Sequence, residues 1–382
     1  MEFKGFLKNP KTLFVILALG LSLLYIFRAL ELTRSDFWAY FEGAKRVRHG
    51  LSPYSLGDPI PFKYLPLTAY FFIPWTFGTL KMGEVLFMIA LLFSTFVLYR
   101  KFFIELGPKA TFLILMCCFR FHNQDWINLQ INSFLLLLFF YFFTARKQEQ
   151  LTSSLALAFF ISFKIVPAFL LLPLFGMKKW GELTLFFLFF VVLNFLPLYF
   201  IHSPTNPYQD WYHLLSVTTE TPAPTGKNIQ SIASMLWFYF QNHLGENSFK
   251  WTTLCIEGLV SSLVFISSLR VSTSDDEDKV LAASLFISVT LSPLGWKHNY
   301  VQALPLLYLW AKEKNWKRMF QFFIVMTAIP TLISLFSKTI ADRSYILVLG
   351  ALYFSASTLF EVKYSRSKNR DDTSPDPVLD SY

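Results

Sequence analysis

Long apolar stretches alternate with short polar ones along nearly the whole chain. The apolar runs fall at about 12–30, 66–80, 83–99, 109–122, 130–145, 151–176, 181–201, 249–270, 279–294, 298–311, 317–336 and 344–361. A hydrocarbon core of ~30 Å needs about 20 apolar residues per helical crossing. The pattern therefore predicts an all-α, polytopic transmembrane bundle over residues 1–362, with the bilayer as its solvent. The remainder, 363–382, mixes Ser, Asp, Pro and basic residues and is expected to be a disordered cytoplasmic tail. The first run is long enough to span and lacks an obvious small-residue cleavage site, so it reads as a membrane helix rather than a signal peptide.

Composition agrees with the pattern. Of 382 residues, 54% are hydrophobic, 19% aromatic and only 15% charged, more apolar surface than a soluble domain needs. The net charge of +9 sits in short clusters between apolar runs, not in one basic stripe, which argues against a nucleic-acid partner. Those clusters are Lys4, Lys8 and Lys11, then Arg146-Lys147, Lys178-Lys179, and the basic residues within 312–318 and 363–370. Putting them all in the cytoplasm satisfies the positive-inside rule and leaves 31–65, 202–228 and 292–298 outside. Counting every run once does not keep these loops on their assigned sides. The simplest arrangement makes 151–176 a pair of half-helices meeting near Lys164, with another short run such as 66–80 re-entrant, giving about 12 crossings and both termini inside. Cys117, Cys118 and Cys255 lie in apolar segments without metal-ligand spacing and read as small core residues.

A few polar residues do not fit a purely lipid-facing bundle. In the first outer loop, Phe37, Tyr40, Phe41 and Ala44 recur at helical spacing, which predicts an amphipathic helix lying at the membrane interface. Asp36 opens that helix; it is either a plain N-cap or a general base at the mouth of a cavity. Lys164 interrupts an apolar stretch, where a cation costs several kcal/mol unless it snorkels or meets an anion or water. Pro167 supports a helix break beside it. His298, in a tight outer turn with Lys297, is either a structural histidine or a donor to a phosphate or sugar oxygen. Gln130 and Asn132, like Asn228, Gln230 and Ser231, open helical segments and are either caps or the directional amides and hydroxyl that sugars require. No paired carboxylates with metal spacing occur on this face, so no metal or other cofactor is expected.

Taken in order, these residues resemble bacterial glycosyltransferase family 87, polyprenyl-phosphate-mannose-dependent α-(1,2)-mannosyltransferases of the GT-C superfamily. Asp36-Phe37 with Tyr40, Gly50 and Pro53-Tyr54 is similar to the first-loop pattern, and Phe62, Tyr64 and Pro66-Leu67 to the entry of the next helix. Gln130-x-Asn132, Lys164-x-x-Pro167, the segment from Asn228 to Ser231, and Ser292-Pro293 with Trp296 and His298 are similar to the later motifs. The chain departs from the pattern at Leu129 in place of Gly, at Leu65 in place of Pro, and by an extra Ile229. The resemblance implies a GT-C-type bundle in the bacterial inner membrane, with its site facing outside and membrane lipids, a polyprenyl-phosphate sugar and a lipid or glycan acceptor as partners. It implies Asp36 as base, with Lys164, His298, Arg34 and Lys297 toward the donor phosphate or sugar. Tyr40, Tyr64, Gln130, Asn132, Asn228, Gln230, Ser231 and Trp296 would meet sugar or acceptor. Two other classes fit the residues less well: a transporter or flippase for an anionic lipid-linked sugar, for which no inverted repeat is visible, and a scaffold subunit, which would not require Lys164.

Overall fold

The computed structural model describes residues 20, 23–27, 30–31, 35–202, 206–219, 229–243, 245–292, 297–337, 340 and 344–371, the backbone alone at 218–219 and 363–371. All its regular elements among these residues are helical. Helices α1 (Phe37–Arg48) and α2 (Pro66–Phe72) form a cap beside the long α3 (Leu80–Leu106) and α4 (Pro108–Ile127). There follow α5 (Asn132–Ala145), α6 (Gln150–Phe163), the short α7 (Leu171–Gly176), α8 (Trp180–Phe195), α9 (Pro207–Thr219) and α10 (Ile232–Phe240). The chain closes with α11 (Glu246–Ser268), α12 (Ser274–Leu291), α13 (Leu304–Lys312), α14 (Trp316–Phe322), α15 (Ile329–Phe336) and α16 (Ile346–Asp371). Four helical stretches are long and apolar enough to cross a bilayer: Leu80–Leu106, Trp180–Phe200, Glu246–Ser268 and Trp316–Phe336. Shorter apolar helices fill the space between them. The chain is thus the multi-pass helical membrane protein its hydropathy predicts.

Ion pairs define one end of the bundle. The first turn of α12 is acidic, and Thr273 caps it by accepting the Asp276 N–H at 3.1 Å. Arg146 pairs with Glu277 (2.9 Å) and Asp278 (3.0 Å), Lys147 with Asp278 (2.7 Å), and Lys179 with Glu277 (2.6 Å). Lys279 pairs with Glu313 at 2.8 Å and Arg318 with Glu361 at 2.6 Å. The basic clusters at 146–147, 178–179 and 312–318 therefore share this end, as one-sided placement requires.

The segment 150–176 is broken where the sequence predicts. α6 stops at Phe163, Lys164 is extended at φ −152°, ψ 120°, and a 3-10 turn, Val166–Leu170, holds Pro167 in its first turn before α7. Pro167 cannot donate a backbone bond into a continuing helix. Both outer ends of the pair reach Glu277, one through Arg146 and the other through Lys179. The two half-helices thus enter and leave on one side and meet at Lys164, supplying one of the two re-entrant segments that the loop count calls for. α2 is likewise too short to cross, since its 7 residues rise only about 10 Å.

Helix α1 forms as predicted but is covered differently. Its apolar stripe, Phe37, Tyr40, Phe41, Ala44 and Val47, is buried by protein rather than by lipid headgroups. Tyr40 stacks on Phe72 at 4.4 Å and Phe37 on Phe87 at 5.2 Å. Gly43 admits Phe62, where a Cβ would lie 2.8 Å from the ring. Helical spacing specifies an apolar face, not the material that covers it. Among the cysteines, Cys117 and Cys118 are buried as expected, but Cys255 faces outward on α11. An apolar membrane span buries its outward face in lipid, so a small apolar side chain is at home there.

Candidate functional site

The site is assembled at the end of the bundle opposite the ion pairs, around the turn between α4 and α5. That turn is a Schellman motif: the Leu129 N–H donates to the Trp126 carbonyl at 3.1 Å and the Gln130 N–H to the Asp125 carbonyl at 2.9 Å. Leu129 takes the left-handed position at φ +51°, the conformation glycine adopts without strain. Within a few residues the chain reverses and presents Asp125, Gln130, Asn132 and Ser133 to one region. The Asp36 N–H donates to the Asn128 carbonyl at 3.1 Å, which docks the first outer loop on the same turn.

Asp36 does not act as an N-cap. Its backbone is already helical (φ −65°, ψ −16°) and its side chain makes no capping bond. Instead its carboxylate accepts a short hydrogen bond from the Gln130 amide nitrogen. The Tyr40 hydroxyl donates to the Gln130 oxygen at 3.4 Å and to the Tyr64 hydroxyl at 2.9 Å. Burial raises the Asp36 pKa above the ordinary carboxylate value, while the Gln130 bond and the charges of Lys164 and Lys63 pull it back down. Burial lowers the pKa of Lys63, and the Asp36 charge opposes that shift.

Lys164 meets the anion its position demands, through an intermediary. Its Nζ donates to Asn132 Oδ1 at 2.9 Å and to Asn299 Oδ1 at 2.6 Å. The Asn132 Nδ2 then donates to Asp125 Oδ1 at 2.8 Å and to Asn299 Oδ1 at 3.3 Å. The other Asp125 oxygen accepts from the Ser133 backbone N–H (3.0 Å) and hydroxyl (2.7 Å). Asp125 is 0% exposed, so a cation nearby and full hydrogen bonding offset its desolvation. With its ammonium fixed on two amides, Lys164 is not snorkelling.

His298 and Lys297 are buried in the 3-10 segment Lys297–Ala303 that precedes α13, next to Asn299. His298 and Asp36 both lie within electrostatic range of Lys164. The carboxylate of the first loop, the lysine of the helix break and the histidine of the late turn therefore share one neighbourhood. Ser231 takes its plain structural alternative, with a hydroxyl that caps α10 by accepting from the Ser234 N–H at 3.1 Å. Gln230, adjacent to it, accepts the Tyr300 hydroxyl on its backbone oxygen at 2.8 Å. Arg34, Asn228 and Trp296 lie outside the described residues. Sequence reading missed Asp125, Asn299 and Lys63. The first sits just past an apolar run, where a carboxylate reads as solvated loop; its spacing of one tight turn from Asn132 is the signal that was available. Asn299 was signalled by its adjacency to His298.

The model of Glycosyltransferase family 87 matches residues 62–293. The chain belongs to this family. The matched stretch contains Tyr64, Asp125, Gln130, Asn132 and Lys164, and ends shortly before His298. As a member of family 87 built as a membrane helical bundle, the protein is an integral membrane glycosyltransferase. A solved structure described as ArnT from Cupriavidus metallidurans bound to undecaprenyl phosphate aligns with a TM-score of 0.39 and 12% identity, covering 94% of this chain and 79% of that one. A likeness at that level carries no argument about this site. None of the curated proteins matches the chain. Among the described residues of this family 87 protein, no three His, Cys, Asp or Glu side chains gather as metal ligands. What gathers is amides, hydroxyls, lysines, a histidine and two separate carboxylates.

Proposed function

We propose that this family 87 enzyme moves a sugar, mannose, from a polyprenyl-phosphate carrier to a hydroxyl of a lipid or glycan acceptor, with inversion and without a metal. The observation that carries the reading is the turn between α4 and α5, where Gln130 holds the ionisable carboxylate of Asp36 and Asn132 holds the ammonium of Lys164, the two within electrostatic range of each other. In this reading Asp36 takes the acceptor proton while the acceptor oxygen forms its bond to the anomeric carbon. The bond from that carbon to the carrier phosphate breaks on the opposite face, and the electron pair leaves with the phosphate. Lys164 and His298, with Lys297 and Arg34, stabilise the charge building on the departing phosphate, the preorganised electrostatic contribution that is largest in most enzymes. Gln130 and Asn132 orient Asp36 and Lys164, while Tyr40, Tyr64, Asn228, Gln230 and Trp296 supply sugar and acceptor contacts and Ser231 caps α10. The positive-inside rule assigns the ion-paired end to the cytoplasm, so the reaction faces the outside of the bacterial inner membrane.

The test is to incubate purified protein in lipid nanodiscs with polyprenyl-phosphate-mannose and candidate acceptors. Release of free polyprenyl phosphate together with a mannosylated product is expected. A half-helix pair around a lysine is also a transporter feature, and in a flippase the donor would change leaflets intact. Intact donor in the opposite leaflet, with no phosphate released, would replace this reading with that one.

A further inference from the structure

An uncommitted charge stands near Asp36, on a rigid mount. Residues 62–64 lie between α1 and α2 with no helical ladder of their own, so their backbone groups are held from outside. The Lys63 carbonyl accepts the Trp211 indole N–H at 3.1 Å, and the Tyr64 carbonyl accepts the Tyr54 hydroxyl at 2.8 Å. On either side, Phe62 is buried in the notch at Gly43, and the Tyr64 ring lies against that of Tyr40 with centroids 4.8 Å apart. These anchors offset the entropy of ordering so short a stretch. The Lys63 side chain differs from its mount. It is half-buried and has lost part of its hydration, yet among the described residues its ammonium makes neither an ion pair nor a hydrogen bond. The Lys164 ammonium, by contrast, is bonded to Asn132 and Asn299.

A cation beside a base is a handicap unless it has a second use. Its field stabilises the ionised carboxylate and so weakens Asp36 as a proton acceptor. No ion pair closes between the two, and the Asp36 carboxylate is bonded by Gln130 instead. The two lysines also have different surroundings. Lys164 acts on Asp125, Asp36 and His298, whereas Lys63 acts on Asp36 and on neither of the others. In the transfer proposed above, the acceptor and the departing phosphate occupy opposite faces of the anomeric carbon, with Asp36 at the acceptor and Lys164 at the phosphate. A cation that reaches Asp36 without reaching the rest of the Lys164 network therefore lies on the acceptor's side. An anion arriving with that substrate would complete it through a charge-assisted hydrogen bond. Because the accepting hydroxyl must itself come within hydrogen-bond reach of Asp36, the anion belongs to the accepting sugar or to the unit next to it.

We propose that Lys63 binds an anionic group, a phosphate or a carboxylate, carried by the acceptor close to the hydroxyl that receives the sugar, and so selects acidic acceptors over neutral ones. The inference rests on the transferase reading and narrows its acceptor from any lipid or glycan to one charged at its accepting end. The test uses the full-length protein in nanodiscs of phosphatidylcholine, with polyprenyl-phosphate-mannose as donor and mannose, mannose 6-phosphate and mannuronic acid as acceptors, at a pH above the acid limb of activity. The unmodified protein should show a KM about tenfold lower for one of the charged acceptors than for mannose, in line with one charge-assisted hydrogen bond. Which of the two it prefers tells phosphate from carboxylate. Lys63→Met should bring the KM values together, and Lys63→Arg should keep the preference. The KM ratio is the readout, since a change in the basicity of Asp36 acts on all three acceptors alike. Equal KM values for mannose and both charged acceptors in the unmodified protein would overturn the proposal, and so would a preference that survives in Lys63→Met. A rise in donor KM with the acceptor ratios unchanged would overturn it too, by placing Lys63 on the carrier phosphate. Failure of the transferase reading has a different signature: the unmodified protein releases no polyprenyl phosphate with any acceptor, while saturation-transfer NMR without donor still reports mannose 6-phosphate binding that Lys63→Met removes.

Discussion

The two ends of the bundle handle charge in opposite ways. At the ion-paired end, Arg146 touches both Glu277 and Asp278 directly, at 2.9 and 3.0 Å, and Lys147 and Lys179 pair with the same two carboxylates. At the other end Lys164 and Asp125 are also opposite and close, yet the Asn132 amide stands between them, bonded to each at 2.9 and 2.8 Å. Direct contact extinguishes the field of both partners. An intervening amide stabilises each ion while leaving the ammonium with a field outside the pair, in a medium where screening is weak. The same residue chemistry thus builds a structural clamp at one end and, in the reading advanced here, a receptor for a leaving phosphate at the other.

The contrast can be broken at several points. The largest effect is expected from Asp36→Asn, which keeps the shape of the Gln130 contact and removes the base; turnover should fall ~10²–10⁴-fold. Near-normal release of polyprenyl phosphate by that variant would exclude Asp36 as the base. Next come Lys164→Met and Asp125→Asn. Lys164→Met leaves the buried Asp125 carboxylate without its opposite, which costs about 3–5 kcal/mol; Asp125→Asn leaves the half-buried Lys164 and costs less, and each should weaken donor binding. Combining them should restore part of the thermal stability, so the double-mutant cycle in nanodiscs ought to be strongly non-additive; additive losses would mean the two ions do not communicate through Asn132. At the clamp end, Arg146→Met should lower the unfolding temperature but leave donor KM and kcat of the folded fraction unchanged. A donor KM that moved with Arg146 would erase the division of labour.

The smallest effect sharpens the comparison through pH. Asp36 must be ionised to accept a proton, and burial lifts its pKa, so activity should fail on acidification at a higher pH than an ordinary carboxylate would dictate. The positive charge of Lys63 works against that lift. Lys63→Met therefore should move the acid limb of kcat/KM to higher pH still. A limb that stayed put or moved down would remove Lys63 from the field at Asp36.

The sequence disclosed some of this arrangement and hid the rest for physical reasons. The helix break was legible because Lys164 and Pro167 in one apolar run leave few ways to satisfy both a charge and a missing N–H. α1 was legible as a helix, but its cover was not, since an apolar stripe looks the same against lipid or against Phe72 and Phe87. Asp125 escaped notice because its value comes from burial, and burial arises only when α5 folds back over α4. Asp36 and Ser231 go different ways locally, the Asp36 side chain reaching Gln130 and the Ser231 hydroxyl capping α10, although both residue types favour caps equally well. Only the neighbours brought in by tertiary structure separate them.

Leu129 is the pivot on which both amides hang. Its positive φ costs on the order of 1–2 kcal/mol relative to an unstrained residue, and its side chain is fully buried, so packing holds the backbone where torsional preference would not. A glycine there would relax the joint and empty its socket at once. The placement of Gln130 and Asn132, and with it that of the Asp36 carboxylate and the Lys164 ammonium they hold, accordingly leans on a hydrophobic peg: loosening the fit of that one leucine would shift both groups before any polar contact had been altered.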